Sequence, residues 1–377
     1  MKKTPPSKWT GVPEPDVPWM ERACMLAEKG VGLTRPNPPV GAVVVRDGQV
    51  VGEGWHRKAG GPHAEVIALR RAGALARGAT LYVTLEPCST WGRTPPCTDR
   101  ILESGIARVV YAVNDPNPSH AGRGRKVLAK AGVAVTSGVC TSRAGDLLQP
   151  FRILMTKGRP MISLKLAVSL DGRIADAQGR SKWITGSKAR DWVQARRREV
   201  DGILVGAATI RADDPSLLSR PPRGRMPWRI VLDGTQPLSL HHHVFADGRG
   251  DQTLLITHHD QADRVRKLRA LGVTILPTPR GVRGYSLNRV TRSLGRLGLL
   301  HVLCEGGGQL AAGLIRAGLV DRCLWMTAPI MIGHTGSPSV ATAWTLSQSP
   351  RWCVDETLSL ETDTVFILTP ACPPTET

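Results

Sequence analysis

A chain of 377 residues, 41% of them hydrophobic, has room for two domains with a core each, and no uncharged apolar run approaches the roughly 18 residues of a membrane span. Its net charge of +19 suits either nucleic-acid binding or the handling of phosphorylated small molecules. With only 4% Phe, Trp and Tyr, an extended base-stacking platform is disfavoured.

Residues 1–18 are polar, rich in lysine and proline, and lack an apolar h-region. They read as a flexible arm, not a secretory signal, so a cytoplasmic chain is expected. A helix is predicted over Trp19 to Lys29, with Gly30 as its C-cap. Strands follow at Val40 to Val45 and Val50 to Gly54, joined by the turn Arg46-Asp47-Gly48. His63 to Ala76 reads as a helix and Leu81 to Leu85 as a strand. Cys88 is expected to open another helix after Pro87, and Asp99 to Glu103 to form a short helix. Arg108 to Val113 is a strand, Gly124 to Ala131 a helix and Val133 to Thr136 a strand; Thr141 to Pro160 reads as a junction, dividing the chain at 150/151.

A second series follows. Met161 to Ala167, Gly202 to Gly206, Arg229 to Leu232, Thr253 to Thr257, Val273 to Leu276, His301 to Cys304 and Cys323 to Thr327 are strand-like. Ala189 to Glu199, Asp263 to Ala270, Leu287 to Arg296 and Gln309 to Ala317 are helical, while Pro215 to Pro227 and His241 to Gly250 read as loops. Strands alternating with helices in both halves indicate α/β layers.

Of the eight cysteines, only Cys88 and Cys97 form a close pair. Without a signal, a disulfide framework is not expected. With His63 they supply one imidazole and two thiolates, which can hold a tetrahedral Zn²⁺ and leave its fourth position to water. Glu65, two residues from the histidine and not itself a ligand, can shuttle protons. This is the H-x-E…P-C…C arrangement of zinc deaminases, with the usual C-x-x-C stretched to a nine-residue step. A structural zinc would want a fourth protein ligand, and His56 is the nearest candidate.

The motifs Asn37-Pro38-Pro39-Val40-Gly41, His63-Ala64-Glu65, Leu85-Glu86-Pro87-Cys88, Gly92-Arg93-Thr94-Pro95-Pro96-Cys97, Asp115-Pro116-Asn117-Pro118 and Ala121-Gly122-Arg123-Gly124 occur in that order. Together they closely resemble the bifunctional riboflavin-biosynthesis deaminase/reductase family, from about Trp19 to about Gly333. The resemblance implies a cytidine-deaminase-like three-layer α/β/α domain over 19–150 and a dihydrofolate-reductase-like α/β domain over 151–377. It implies one zinc per chain, NADPH, and a phosphorylated ribosylaminopyrimidine as substrate. The first domain would deaminate 2,5-diamino-6-ribosylamino-4(3H)-pyrimidinone 5′-phosphate, with Glu65 moving the proton. Asn37, His56, Arg93, Asp115 and Asn117 match positions lining the pyrimidine and phosphate pocket. Each has a plainer reading: the asparagines precede prolines and suit turns, His56 could be an ordinary histidine, and Arg93 could brace its loop. Thr90 stands where the family commonly has histidine, which puts one substrate-orienting contact in doubt.

In the second half, Lys165-Leu166-Ala167, Ser169-Leu170-Asp171-Gly172, Trp183-Ile184-Thr185, Ala208-Thr209, Ala212-Asp213-Asp214-Pro215 and Glu305-Gly306-Gly307-Gly308 resemble the family's reductase domain. The match implies NADPH contacts at Ala167, Trp183, Thr209, Asp213, Gly307, Gly308 and Gly313. It implies substrate contacts at Ser181, Arg197, Leu217, Arg220 and Glu305, and proton transfer assisted by Lys165 and Asp213. A glycine run between strand and helix also suits phosphate on its own chemistry, although a flexible turn would explain it equally. His241-His242-His243 lies outside these motifs and reads as a polar loop.

The reading is a cytoplasmic enzyme with no nucleic-acid or membrane partner, and with homo-oligomerisation left open. Two alternatives stand beside it: a deaminase with an inactive reductase-like domain, and an RNA-editing zinc deaminase, which steeply salt-dependent RNA binding would reveal.

Overall fold

The computed structural model describes residues 14–92, 94–221, 225–281 and 284–371. Two compact units divide between Lys157 and Gly158. Among the described residues no helix is long and apolar enough to cross a membrane.

The first unit runs α1 (Val17–Glu28), β1 (Gly41–Arg46), β2 (Gln49–Trp55), α2 (Ala64–Ala72), β3 (Thr80–Leu85), α3 (Cys97–Glu103), β4 (Arg108–Val113), α4 (Arg123–Lys130), β5 (Ala134–Ser137) and α5 (Thr141–Lys157). Its sheet has the order β2-β1-β3-β4-β5. β1 is antiparallel to both neighbours, and β3, β4 and β5 are parallel. The hairpin between β1 and β2 turns on Asp47 and Gly48, both at positive φ, the geometry a two-residue turn needs to match strand twist. Because side chains alternate across a strand, the apolar run of β1 feeds two cores. Ala42 and Val44 pack with Ala64, Ala68 and Leu69 of α2. Val43 and Val45 pack with Met20, Ala23 and Cys24 of α1 and with Ala144 of α5. The sheet is thus the middle of three layers. The start of α1 is pinned by buried Asp16, which accepts from Tyr82 Oη at 2.8 Å and from both Arg108 Nη atoms at 2.9 and 2.6 Å.

The second unit runs β6 (Met161–Val168), β7 (Arg173–Ala175), α6 (Ser187–Arg197), β8 (Gly202–Gly206), α7 (Ala207–Asp213), β9 (Trp228–Leu232), α8 (His243–Ala246), β10 (Thr253–Thr257), α9 (Ala262–Ala270), β11 (Thr274–Pro277), β12 (Arg280–Gly281), β13 (Gly284–Tyr285), α10 (Leu287–Arg296), β14 (His301–Cys304), α11 (Gly308–Arg316), β15 (Arg322–Thr327), β16 (Ser337–Pro338), β17 (Trp352–Leu360) and β18 (Asp363–Pro370). Nine strands form one sheet in the order β11-β10-β9-β8-β14-β6-β15-β18-β17. It is parallel up to β15, and the closing β17–β18 hairpin is antiparallel. Ile162, Leu164, Val302 and Ile230 meet α10 and α11 on one face. Ile203, Val205, Val231 and Leu255 meet α7, α8 and α9 on the other. Near-continuous apolar strands are what a sheet covered on both faces requires.

The structure departs from the expected elements at several places. Gly30 lies one residue beyond the cap of α1, which is Lys29. Cys88 lies in a loop, and the helix opens at Cys97 instead. Thr141–Lys157 is a helix, continuous through Pro150, because burial of Ala144, Leu148, Ile153 and Leu154 outweighs its linker-like composition. The stretch His241 to Gly250 holds α8, and α7 and the β17–β18 hairpin were not expected at all.

Candidate active sites

In the first unit three elements converge. His63 is the N-cap of α2, Cys88 lies just beyond β3, and Cys97 begins α3. His63 Nδ1 is 3.1 Å from Cys97 Sγ and 3.6 Å from Cys88 Sγ, and the Cys97 N–H donates to Cys88 Sγ at 3.3 Å. The three ligand atoms lie within 4.8 Å of one another, a cluster that could hold a metal ion among the described residues. The hydrogen bond from Cys97 pulls the Cys88 thiol down to about 4 against its burial, and His63 helps. The bond to Cys88 lifts the His63 imidazole to about 9 against burial. Two sulfurs and one imidazole nitrogen are donors suited to zinc.

Glu65 is buried in the first turn of α2. Burial pushes its carboxyl above its ordinary value, with His63 pulling the other way. His56 lies edge-on to His63, with ring centroids 5.4 Å apart. Its Nδ1 is 3.1 Å from the Pro62 carbonyl, which can only accept, so Nδ1 carries the proton. Nε2 then accepts from Asn37 Nδ2 at 3.1 Å. With both ring nitrogens engaged, His56 is not among the convergent ligand atoms, which among the described residues come from three side chains. Asp115 and Asn117 lie on the loop after β4, where Asp115 Oδ1 accepts the Asn117 N–H at 2.8 Å and Asn117 Oδ1 accepts the Ser119 N–H at 3.0 Å. Arg93 lies outside the described residues.

Two residues here went unassigned in the sequence reading. Thr94 Oγ1 lies 3.5 Å from His63 Nε2. The buried Glu86 carboxylate accepts three backbone N–H groups, from Asp115, Gly122 and Arg125. Both sit inside quoted motifs, but spacing alone gave neither a partner.

In the second unit the expected residues gather at the carboxyl ends of β6, β8 and β14, where open α/β sheets bind ligands. Lys165 and Ala167 lie on β6, Thr209 and Asp213 on α7, and Glu305 just past β14. Thr209 Oγ1 accepts the Gly307 N–H at 3.2 Å, tying α7 to the start of α11. Ser181 Oγ donates to Asp213 Oδ1 at 2.8 Å. Arg197 forks onto Glu305 at 2.7 and 2.9 Å, and its Nη1 donates to the Leu218 carbonyl. Burial works against the Glu305 carboxylate, yet the Arg197 guanidinium holds its pKa below the ordinary range. Half-buried Lys165 is pushed down by desolvation, opposed by Glu305.

Other expected residues sit differently. The Leu217 side chain is buried in the core cluster under α7, leaving only its backbone near the loop. Gly313 lies inside α11, where a Cβ would meet Leu287 Cδ1 at 3.0 Å. Arg220 is exposed and engaged through its backbone, its N–H donating to Gln194 Oε1. The Trp183 indole is exposed beneath the Arg190 guanidinium, 4.6 Å away. Gly308 is the first residue of α11. Asp171 accepts the Ile332 and Gly333 N–H groups, so its motif braces a loop. His242 and His243 both pair with Asp214.

The Arg197–Glu305 pair is only 13% and 10% exposed. Arg197→Ala strands a buried carboxylate and is expected to cost roughly 3–5 kcal/mol, read as a lower urea midpoint. Adding Glu305→Gln should restore part of the loss, because the stranded charge is gone. An unchanged midpoint in Arg197→Ala would show that the pair is not desolvated.

Comparison with known proteins identifies both units. Residues 13–113 match the cytidine and deoxycytidylate deaminase zinc-binding region, and residues 160–366 match the RibD C-terminal domain. The chain is 43% identical over 322 residues to the riboflavin biosynthesis protein RibD of Aquifex aeolicus, covering 85% of this chain and 89% of that one. It is 42% identical over 328 residues to RibD of Escherichia coli, covering 84% and 88%. The solved structure of Acinetobacter baumannii RibD superposes with a TM-score of 0.87 at 36% identity, covering 95% of this chain and 99% of that one. A Thermotoga maritima structure described as a diaminohydroxyphosphoribosylaminopyrimidine deaminase/5-amino-6-(5-phosphoribosylamino)uracil reductase superposes with a TM-score of 0.85 at 35% identity, covering 95% and 99%. With a zinc-type deaminase unit, a reductase unit and relatives matched over most of their length, the chain belongs to the RibD family of bifunctional riboflavin-biosynthesis enzymes, deaminase and reductase in one polypeptide.

Proposed function

We propose that the first unit deaminates 2,5-diamino-6-ribosylamino-4(3H)-pyrimidinone 5′-phosphate with one zinc ion per chain. The second unit then reduces the ribosyl chain to ribityl with NADPH, giving 5-amino-6-(5-phosphoribitylamino)uracil. The observation that carries the first step is the convergence of His63 Nδ1, Cys88 Sγ and Cys97 Sγ beside buried Glu65. These three atoms would hold the ion, which when bound makes water acidic enough to act as a nucleophile near neutral pH. Glu65 takes the water's proton and returns it to the departing ammonia. Asn37, pinned by Nδ2 to His56, offers Oδ1 to a ring amino group. Asp115 and Asn117 border the substrate, and Arg93 is the phosphate partner through its fork of donors.

In the second unit NADPH supplies hydride to C1′ of the sugar. With Gly307 tied to Thr209, the first turn of α11 from Gly308 onward presents its backbone N–H groups to a cofactor phosphate. Ala167, Trp183, Thr209 and Asp213 contact the cofactor, and Gly313 acts through helix packing. Ser181, Arg197, Arg220, Glu305 and the Leu217 backbone border the substrate. Lys165 and Asp213 assist proton transfer. The enzyme is cytoplasmic and takes a small phosphorylated substrate, not nucleic acid.

A mass-resolved assay on the diamino-pyrimidinone phosphate tests this reading. Without NADPH the product should carry oxygen in place of one amino group, and with NADPH it should gain a further pair of hydrogens. Deamination followed by no NADPH oxidation would leave the second unit a ligand-binding domain only.

A further inference from the structure

The family motif Glu86-Pro87-Cys88 contains a carboxylate that the mechanism does not use. Glu86 follows β3, and its own N–H donates to the Val113 carbonyl at 2.9 Å, extending the pairing of β3 with β4. The side chain is only 3% exposed. Its Oε2 accepts from the Asp115 N–H at 3.2 Å and the Gly122 N–H at 2.9 Å, and its Oε1 accepts from the Arg125 N–H at 3.1 Å. These donors are the first residue of the Asp115–Gly122 loop, its last residue, and the third residue of α4. The N-cap of α4 is Gly122, which has no side chain to offer. Glu86 supplies the missing cap from just beyond β3, where a negative charge is favoured by the otherwise unpaired N–H groups and the helix dipole.

A second contact closes the same joint. A Cβ on Gly124 would lie 2.1 Å from the Pro87 carbonyl oxygen and 3.3 Å from Glu86 Oε1. Only glycine lets the first turn of α4 rest directly on the backbone beside Cys88. The carboxylate and the glycine act together: one draws the loop ends onto the strand, the other lets the helix approach.

We infer that Glu86 is a positioning residue, which with Gly124 clamps the Asp115–Gly122 loop onto the Pro87-Cys88 backbone and so sets the distance between the metal ligands and the substrate-bordering residues Asp115 and Asn117. The inference rests on the reading of that loop as a substrate contact. Among the described residues the Glu86 carboxylate bonds backbone N–H groups and not the ligand atoms of the cluster, so zinc binding should not depend on its charge. Glutamine keeps its size but turns an NH₂ group toward a backbone donor, losing at least one of the three bonds and setting donor against donor in its place.

The test uses the full chain loaded with zinc. Glu86→Gln should keep about one zinc per chain and should reduce supplied deaminated substrate at the parent rate. It should raise KM for deamination about 10-fold, the scale of change that residues orienting a site's first contacts produce. Glu86→Asp, which keeps the charge on a shorter arm, should recover part of that rise. The loop dependence is read from Asn117→Ala. If Glu86 acts through the loop, the double variant should show a KM close to that of Asn117→Ala alone. Fully additive effects, a parent-like KM in Glu86→Gln, or loss of its zinc would each overturn the inference. A parent-like KM in Asn117→Ala would instead overturn the reading of the loop, and the inference with it. Should Glu86→Gln fail to fold, amide hydrogen exchange of the parent chain still decides. The Asp115, Gly122 and Arg125 amides should be protected, and rapid exchange at all three would sink the clamp.

Discussion

Glu65→Gln is expected to retain its zinc and to release ammonia at least about 100-fold more slowly than the parent chain, the usual scale for losing a general acid–base group. The glutamate is buried in the first turn of α2, two residues past His63, and it is not among the convergent ligand atoms. Glutamine fills the same space but cannot accept the water's proton. The reductase residues lie on a different sheet, so the variant should still oxidise NADPH when given deaminated substrate. Asp213→Asn is the converse, with ammonia release intact and reduction diminished. A folded, zinc-loaded Glu65→Gln that releases ammonia normally would remove Glu65 from the mechanism. One that loses both activities would require a shared or strongly coupled site.

Cys88→Ser should lose both zinc and deamination, because an alcohol does not ionise near neutral pH and leaves two protein ligands where a catalytic site keeps three. Metal analysis should show the content falling from about one ion per chain to almost none. The fold should survive, since a serine oxygen can still accept the Cys97 N–H that now points at Cys88 Sγ. Reduction of supplied product should therefore be unaffected. Full zinc in the folded variant would show that the ligand set is wrong.

The metal cluster was legible in the sequence because its chemistry tolerates few residue types: an imidazole, two thiols and a carboxylate in a fixed order. Strands such as β1, β8 and β14 were legible because apolar runs of that length are buried on both faces. What stayed hidden depends on partners distant in sequence. The Glu86 carboxylate is satisfied by amides 29, 36 and 39 residues away, and Arg197 meets Glu305 across 108 residues. No periodicity marks such pairs. β17 escaped because it is an edge strand whose first six residues are almost all exposed, so only its last residues carry the alternation of a half-buried strand. α7 escaped because its seven residues are too few for a helical period to show. The identity of the substrate came from family resemblance, not from any single residue.

The helix α5 bears on how the gene can be dissected. A deaminase fragment ended at Pro150 would keep Ala144 and Leu148, which pack on the sheet, but would discard Ile153 and Leu154, both buried. The severed end would fall within a helix, leaving its last carbonyls without the N–H donors of the turn that follows. A stop placed after Lys157 removes nothing from this layer. The half-enzyme to express, or to graft beside a different reductase, is therefore the longer one.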